Sequence, residues 1–433
     1  MLRVSLTVAS LLFSSTSVMA GQAHEPAGAP TQQAPPQTAP VDPHAQHNMA
    51  AMGGGWMSMV DGVVFATYNK QDKPRGATEF KSQNWLMLMA QHKLGPGDVT
   101  FKGMFSAEPL TLTDRGYSQL FQHGEAYNGL ENIDYQHPHD MFMQLAVSWR
   151  VPLGNSSALT LSGGPMGEAT LGPAAFMHRQ SASENPTAPI SHHTFDSTHI
   201  AQGVVAARLD LGKFAVEGSA FHGRESDQYR YGVTPGRLDS WAARLWFRPS
   251  SSLLAQVSHG FINEGEELEP GDQKRTTASV SWARGDDARY LAVTAAGGYT
   301  MDSYDNSSRA YLAEATFHRP RGSLYTRVEH LQVATESLSF PFIIHTPHPF
   351  ETIDWLTSAT FGGVLNLNTR GPFEIGIGAD ATFYDVPANL RSSPQTTMYG
   401  ASPKSFHVFI RVRPRAPSMG HMWNMIMSDS AMR

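Results

Sequence analysis

The feature that most constrains this chain is an apolar–polar alternation of period two, clearest in the stretch "PFEIGIGADATFYD". Phe373, Ile375, Ile377, Ala379, Ala381 and Phe383 fall on one face, and Glu374, Gly376, Gly378, Asp380 and Thr382 fall on the other. Successive side chains of a strand point to opposite sides, so one side of this segment matches hydrocarbon and the other matches water. The pattern recurs in "SFHVFIRVRP", where Phe406, Val408, Ile410 and Val412 oppose His407, Arg411 and Arg413. It recurs again in "GVVAARLDLG", which sets Val205, Ala207, Leu209 and Leu211 against Arg208 and Asp210.

Roughly sixteen such segments follow one another, an even number, each about ten to fourteen residues long. They start near Trp56, Phe80, Val99, Asp140, Ser157, Ile200, Phe214, Leu238, Leu253, Arg275, Arg289, Ser308, Ser323, Asp354, Phe373 and Lys404. Alternate connections are short: "LGPG", "PLGN", "LGK", "RPSSS", "RGDD", "RPRG" and "NTRGP". Those between them are mostly long, at about 109–139, 167–199, 224–236, 263–272, 335–353 and 385–402, with a brief one only near Asp302 to Asn306. A soluble sandwich has no reason to sort its loops by parity, whereas a transmembrane barrel pairs short periplasmic turns with long outer loops. The expected fold is therefore an all-β, closed antiparallel barrel over residues 55–414, set in the outer membrane of a Gram-negative cell with lipid as its surroundings. Trp56, Tyr68, Trp85, Trp149, Phe247, Tyr299, Phe383 and Tyr384 lie near the strand ends, where interfacial aromatic girdles are expected.

A chain of 433 residues is long enough for roughly two or three soluble domains, but only 16% of it is charged and it holds 38 glycines, which suits one barrel better. There is no cysteine, so disulfides and thiolate chemistry are excluded. A net charge of −6 provides no basic field for nucleic acid. Residues 1–20, with one Arg and a short apolar core, read as a secretory signal peptide. Residues 21–54 are rich in Pro, Ala and Gln and read as a disordered periplasmic tail; 415–433 form a Met-rich C-terminal tail. On its signal peptide, strand alternation and loop parity, the chain resembles porin-type outer-membrane proteins, which implies a channel for small solutes and a homo-oligomer, as is common among them. It departs from that pattern at its end, where "FHVFIRVRP" is followed by "RAPSMGHMWNMIMSDSAMR" instead of closing on an aromatic residue.

The inward face of such a barrel would carry Arg208, Arg244, Glu314, Arg327, Glu329, Glu374, Asp380, Arg411 and Arg413. These either tune which solutes pass or pair across strands to keep the lumen hydrated and rigid. The second long loop ends in "YQHPHD", and Pro138 favours extended backbone that sends His137 and His139 to the same side beside Asp140. The third holds His178, His192, His193 and His199. Together they either pin the loops or, if the loops meet, coordinate copper or zinc. His44, His47, Met49 and Met52 before the first strand, and Met419, His421 and Met422 after the last, interleave imidazole and thioether ligands that suit copper. In these ends the chain is similar to copper-resistance outer-membrane proteins of the B type, which implies metal ions as partners. No nucleophile elbow, phosphate loop or paired-carboxylate motif stands out, so no enzyme is expected. A barrel with a plugged lumen is the third alternative.

Overall fold

The computed structural model describes residues 55–415, apart from 125, 235, 266–270, 287, 340–351 and 393–397. Sixteen antiparallel strands close into one barrel. They are β1 (Met57–Gln71), β2 in two pieces (Thr78–Lys81 and Asn84–Leu94), β3 (Gly97–Phe105), β4 (Phe142–Pro152), β5 (Ser157–Gly167), β6 (Ala201–Leu211), β7 (Phe214–His222) and β8 (Ser240–Ser250). Then come β9 (Leu253–Ile262), β10 (Gln273–Asp286), β11 (Arg289–Asp302), β12 (Ser307–Arg319), β13 (Gly322–Ala334), β14 (Ile353–Asn366), β15 (Phe373–Asp385) and β16 (Lys404–Pro414). Each pairs with its sequence neighbours, and β1 closes the ring on β16 in a register running from Val64 opposite Val412 to Gln71 opposite Ser405. Both pieces of β2 pair with β1, and the break between them is bridged by Phe65 N donating to the Gln83 carbonyl at 2.8 Å. Closure leaves no edge strand, which satisfies the backbone polar groups where water is absent.

The period-two pattern decides which way each side chain faces. On β15 Phe373, Ile375, Ile377 and Phe383 are exposed while Glu374, Asp380 and Thr382 are buried; β8 and β9 show the same for Leu245 and Val257 against Arg244 and Ser258. The outward residues form a continuous apolar belt. A closed barrel wearing such a belt is the form in which strands cross lipid, and it belongs in the bacterial outer membrane. Two of the expected girdle residues are corrected by the same rule. Phe383 faces out, so Tyr384 faces in and its hydroxyl meets Ser405 Oγ at 2.8 Å; Leu86 faces out, so Trp85 faces in, edge-on to His178 at 5.0 Å.

Two long connections, 106–141 and 168–200, fold into the barrel. Leu120, Phe121 and Ile133 from the first join Ile190 and Phe195 from the second in one apolar cluster, packed on Leu312, Leu331, Leu356 and Tyr384 of the wall. Phe121 is fully buried, stacked on Tyr399 with ring centroids 4.1 Å apart. Burial of a side chain this size contributes about 1.5–3 kcal/mol, against a left-handed backbone at Phe121 (φ 68°) that costs about 1–3 kcal/mol. The Phe121 N–H donates to Asp134 Oδ1 at 2.8 Å, which helps hold that conformation.

Candidate functional site

The inward segment 168–200 is fixed to the wall by buried charge. Arg179 donates from Nε to Glu314 Oε1 of β12 at 2.6 Å and from Nη1 to Asp196 Oδ2 at 2.7 Å. Burial works against the Arg179 charge, but Glu314 and Asp196 outweigh it and hold the guanidinium above the ordinary arginine range. Burial likewise opposes the Asp196 carboxylate, yet His192 and Arg179 hold it below the usual carboxylate range. Ser191 donates from N and Oγ to Glu329 Oε1 at 2.9 and 2.7 Å, and Arg327 Nη1 donates to the Thr187 carbonyl at 2.9 Å. Glu184, fully buried, accepts from Arg411 and, at 3.2 Å, from Arg413. Arg244 Nη1 reaches the Gly172 carbonyl at 2.9 Å.

All nine charged residues expected on the inner face point inward. Glu314, Arg327, Glu329, Arg244, Arg411 and Arg413 hold the inward segment; Glu374 pairs with Arg411 and Arg413. Arg208 pairs within the wall with Glu217 at 2.6 Å, and Asp380 takes His407 at 2.6 Å and Tyr325 at 2.8 Å. Alternation identifies the wall residues but passes over Arg179, Glu184 and Ser191, which answer them from the segment. The available signal was their rarity: Arg179 and Glu184 are isolated charges in a stretch of small and polar residues.

Across the barrel the wall is less deeply covered. Thr100, Lys102, Gln144, Ser148, Thr160, Ser162 and Arg208, inward positions of β3 to β6, are only partly buried, whereas most inward positions of β12 to β16 are buried beneath the loops. The segment therefore leans on one side of the barrel and leaves a polar, less deeply buried strip on the other.

The same two connections bring histidines together. Ring centroids of His192 lie 5.3 Å from His199, 5.6 Å from His193 and 6.4 Å from His137; His139 lies 5.6 Å from His199, and His137 lies 6.2 Å from His193. His139 Nδ1 meets Glu108 Oε2 at 3.0 Å. Burial alone would lower the His139 pKa, but Glu108 raises it above the ordinary histidine value; burial, with His192 and His139 nearby, takes His199 well below it. Asp140 accepts from Ser226 and pairs with Arg230 of the connection 223–239. His178 stands apart against Trp85, its pKa pushed down to about 3 by burial and by Lys102 and His139. Among the described residues, no three His, Asp or Glu side chains stand at metal-ligand distance from a common point. The tail ligands His44, His47, Met49, Met52, Met419, His421 and Met422 lie outside the described residues.

No protein-family model matches the chain. No curated protein matches it either. Among solved structures, Pseudomonas putida OprB aligns over 83% of this chain and 94% of its own, with a TM-score of 0.53 and 10% identity. The likeness is one of fold. An anion-selective porin from Comamonas acidovorans covers 83% of this chain and 100% of its own at a TM-score of 0.48 and 12% identity. The outer membrane channel DcaP of Acinetobacter baumannii covers 83% and 97% at 0.46 and 11%.

Proposed function

We propose that this chain is an outer-membrane channel for small solutes, narrowed by the segment 168–200 to a polar passage along β3–β6, and that it acts as a channel and not as an enzyme. The partly exposed inward strip from Thr100 to Arg208 carries this reading, because a barrel filled for purely structural ends would bury that face as deeply as the opposite one. Short connections then face the periplasm and the long, inward-folding ones the exterior. The segment is held rigidly by the Arg179, Glu184 and Ser191 contacts, so it sets a fixed aperture.

Planar-bilayer recording of the refolded full chain tests this. Stepwise ohmic conductance is expected, and Lys102→Glu, which reverses a charge on the strip, should move the reversal potential toward cations under a salt gradient. Absence of conductance at every voltage would defeat the proposal. So would conductance whose ion preference ignores Lys102→Glu.

A further inference from the structure

Charges along the inner strip cancel in pairs, with one exception. Arg208 pairs with Asp210 at 2.8 Å and with Glu217 at 2.6 Å, Arg150 reaches Asp210 at 3.8 Å, and Lys93 of β2 answers Asp98 of β3 at 3.3 Å. Lys102, an inward and only partly buried position of β3, forms no hydrogen bond or ion pair among the described residues. The carboxylate that acts on it from a distance, Glu168, is engaged by Arg244 at 3.6 Å, and Asp61 of β1 lies under the field of Arg413. The ammonium of Lys102 therefore sets the sign of the potential along the strip, and a low-dielectric wall concentrates that field on passing ions.

The wall beside that ammonium is apolar. In register, Lys102 stands opposite Met89 of β2 and Ala146 of β4, and Met89 stands opposite Met59 of β1. Met59 and Met89 are only partly buried, unlike Met87, Met104 and Met143, which are closed into a packed cluster. One row nearer the short turn at 95–96, the same wall carries Gln91, Thr100 and Ser148 opposite one another. A passage lined only for hydrated ions would be polar in both rows. Thioethers left partly uncovered beside an ammonium suit a solute that covers apolar surface against sulfur while its charge meets the amine. We propose that the passage selects organic monoanions with an apolar body, aromatic carboxylates being the type, the carboxylate meeting Lys102 and the body lying on Met89 and Met59. This rests on the channel reading above and adds the class of solute.

Planar-bilayer recording of the refolded full chain, with sodium chloride on one side and sodium benzoate on the other, tests this, and heat-modifiable gel mobility is the control for folding. The expected result is a preference for anions over sodium and a benzoate-to-chloride permeability ratio above the ratio of the two ions' mobilities in water. Gluconate, a monocarboxylate with a hydroxylated body, should show no such excess over its mobility. Met89→Gln, which removes the thioether and keeps the length of the side chain, should lower the benzoate-to-chloride ratio by about two- to tenfold. Lys102→Met should abolish the preference for anions. The proposal is overturned if the wild-type channel prefers sodium, if benzoate passes no more readily than its mobility or gluconate's excess predicts, or if Met89→Gln and Lys102→Met leave both ratios unaltered. Each of those results still describes a conducting channel, whereas a chain without conductance defeats the channel reading itself.

Discussion

Replacing Arg179 by Met should release the inward segment without unfolding the barrel. The Arg179, Glu314 and Asp196 side chains are at most 4% exposed, and removing one partner of a buried, hydrogen-bonded ion pair costs about 3–5 kcal/mol because the remaining charges stay buried unpaired. The strand ladder does not use Arg179, so the cost falls on the packing of 168–200. At about 1.4 kcal/mol per decade, the detached population of the segment should rise by about two to three and a half orders of magnitude. Proteinase K digestion of the refolded protein should then cut within 168–200 while heat-modifiable mobility persists, and single-channel current should become larger and noisier. Arg179→Met/Glu314→Gln should recover about 0.5–3 kcal/mol of coupling, since the uncompensated Glu314 charge is gone. Arg179→Lys should not rescue, because one compact ammonium cannot bridge two carboxylates as the guanidinium fork does. Wild-type proteolysis and conductance in Arg179→Met, or strict additivity in the double variant, would refute the reasoning.

Other consequences follow from the same geometry. Leu245→Arg, at an outward-facing position in the middle of β8, should cost about 2–4 kcal/mol in urea titrations in lipid vesicles, whereas Ser162→Arg on the partly buried inner strip should cost far less; equal costs would mean the faces are misassigned. Gly172 has φ +83°, and a Cβ there would collide with the Phe195 carbonyl oxygen, so Gly172→Ala should loosen the turn into the segment and raise proteolysis within 168–200, leaving barrel mobility intact.

The barrel itself was legible from neighbouring residues. Alternation in "PFEIGIGADATFYD" is a local signal, because in a strand the side of each residue follows from the parity of its position, and lipid and water impose opposite demands on the two sides. Tyr384 shows how strict that rule is: its position beside outward Phe383 turns it inward, whatever its aromatic preference for an interface. Strand starts and the inward direction of Arg411, Glu314 and the other wall charges came from this periodicity.

What the inner face does was not legible, because the partners lie far apart along the chain. Glu314 meets Arg179 across 135 residues and Arg411 meets Glu184 across 227, and no spacing rule links them. Likewise His139 and His199 belong to different connections, each readable as a histidine-bearing loop but not as neighbours. The sequence by itself determined a closed membrane barrel, since hydrocarbon on one side and water on the other leave a period-two chain no other way to satisfy its backbone. Only the tertiary structure decided that two connections fold inward, that the wall charges hold one of them, and that the histidines cluster, because those contacts form where desolvated charges and rings from distant segments find one another.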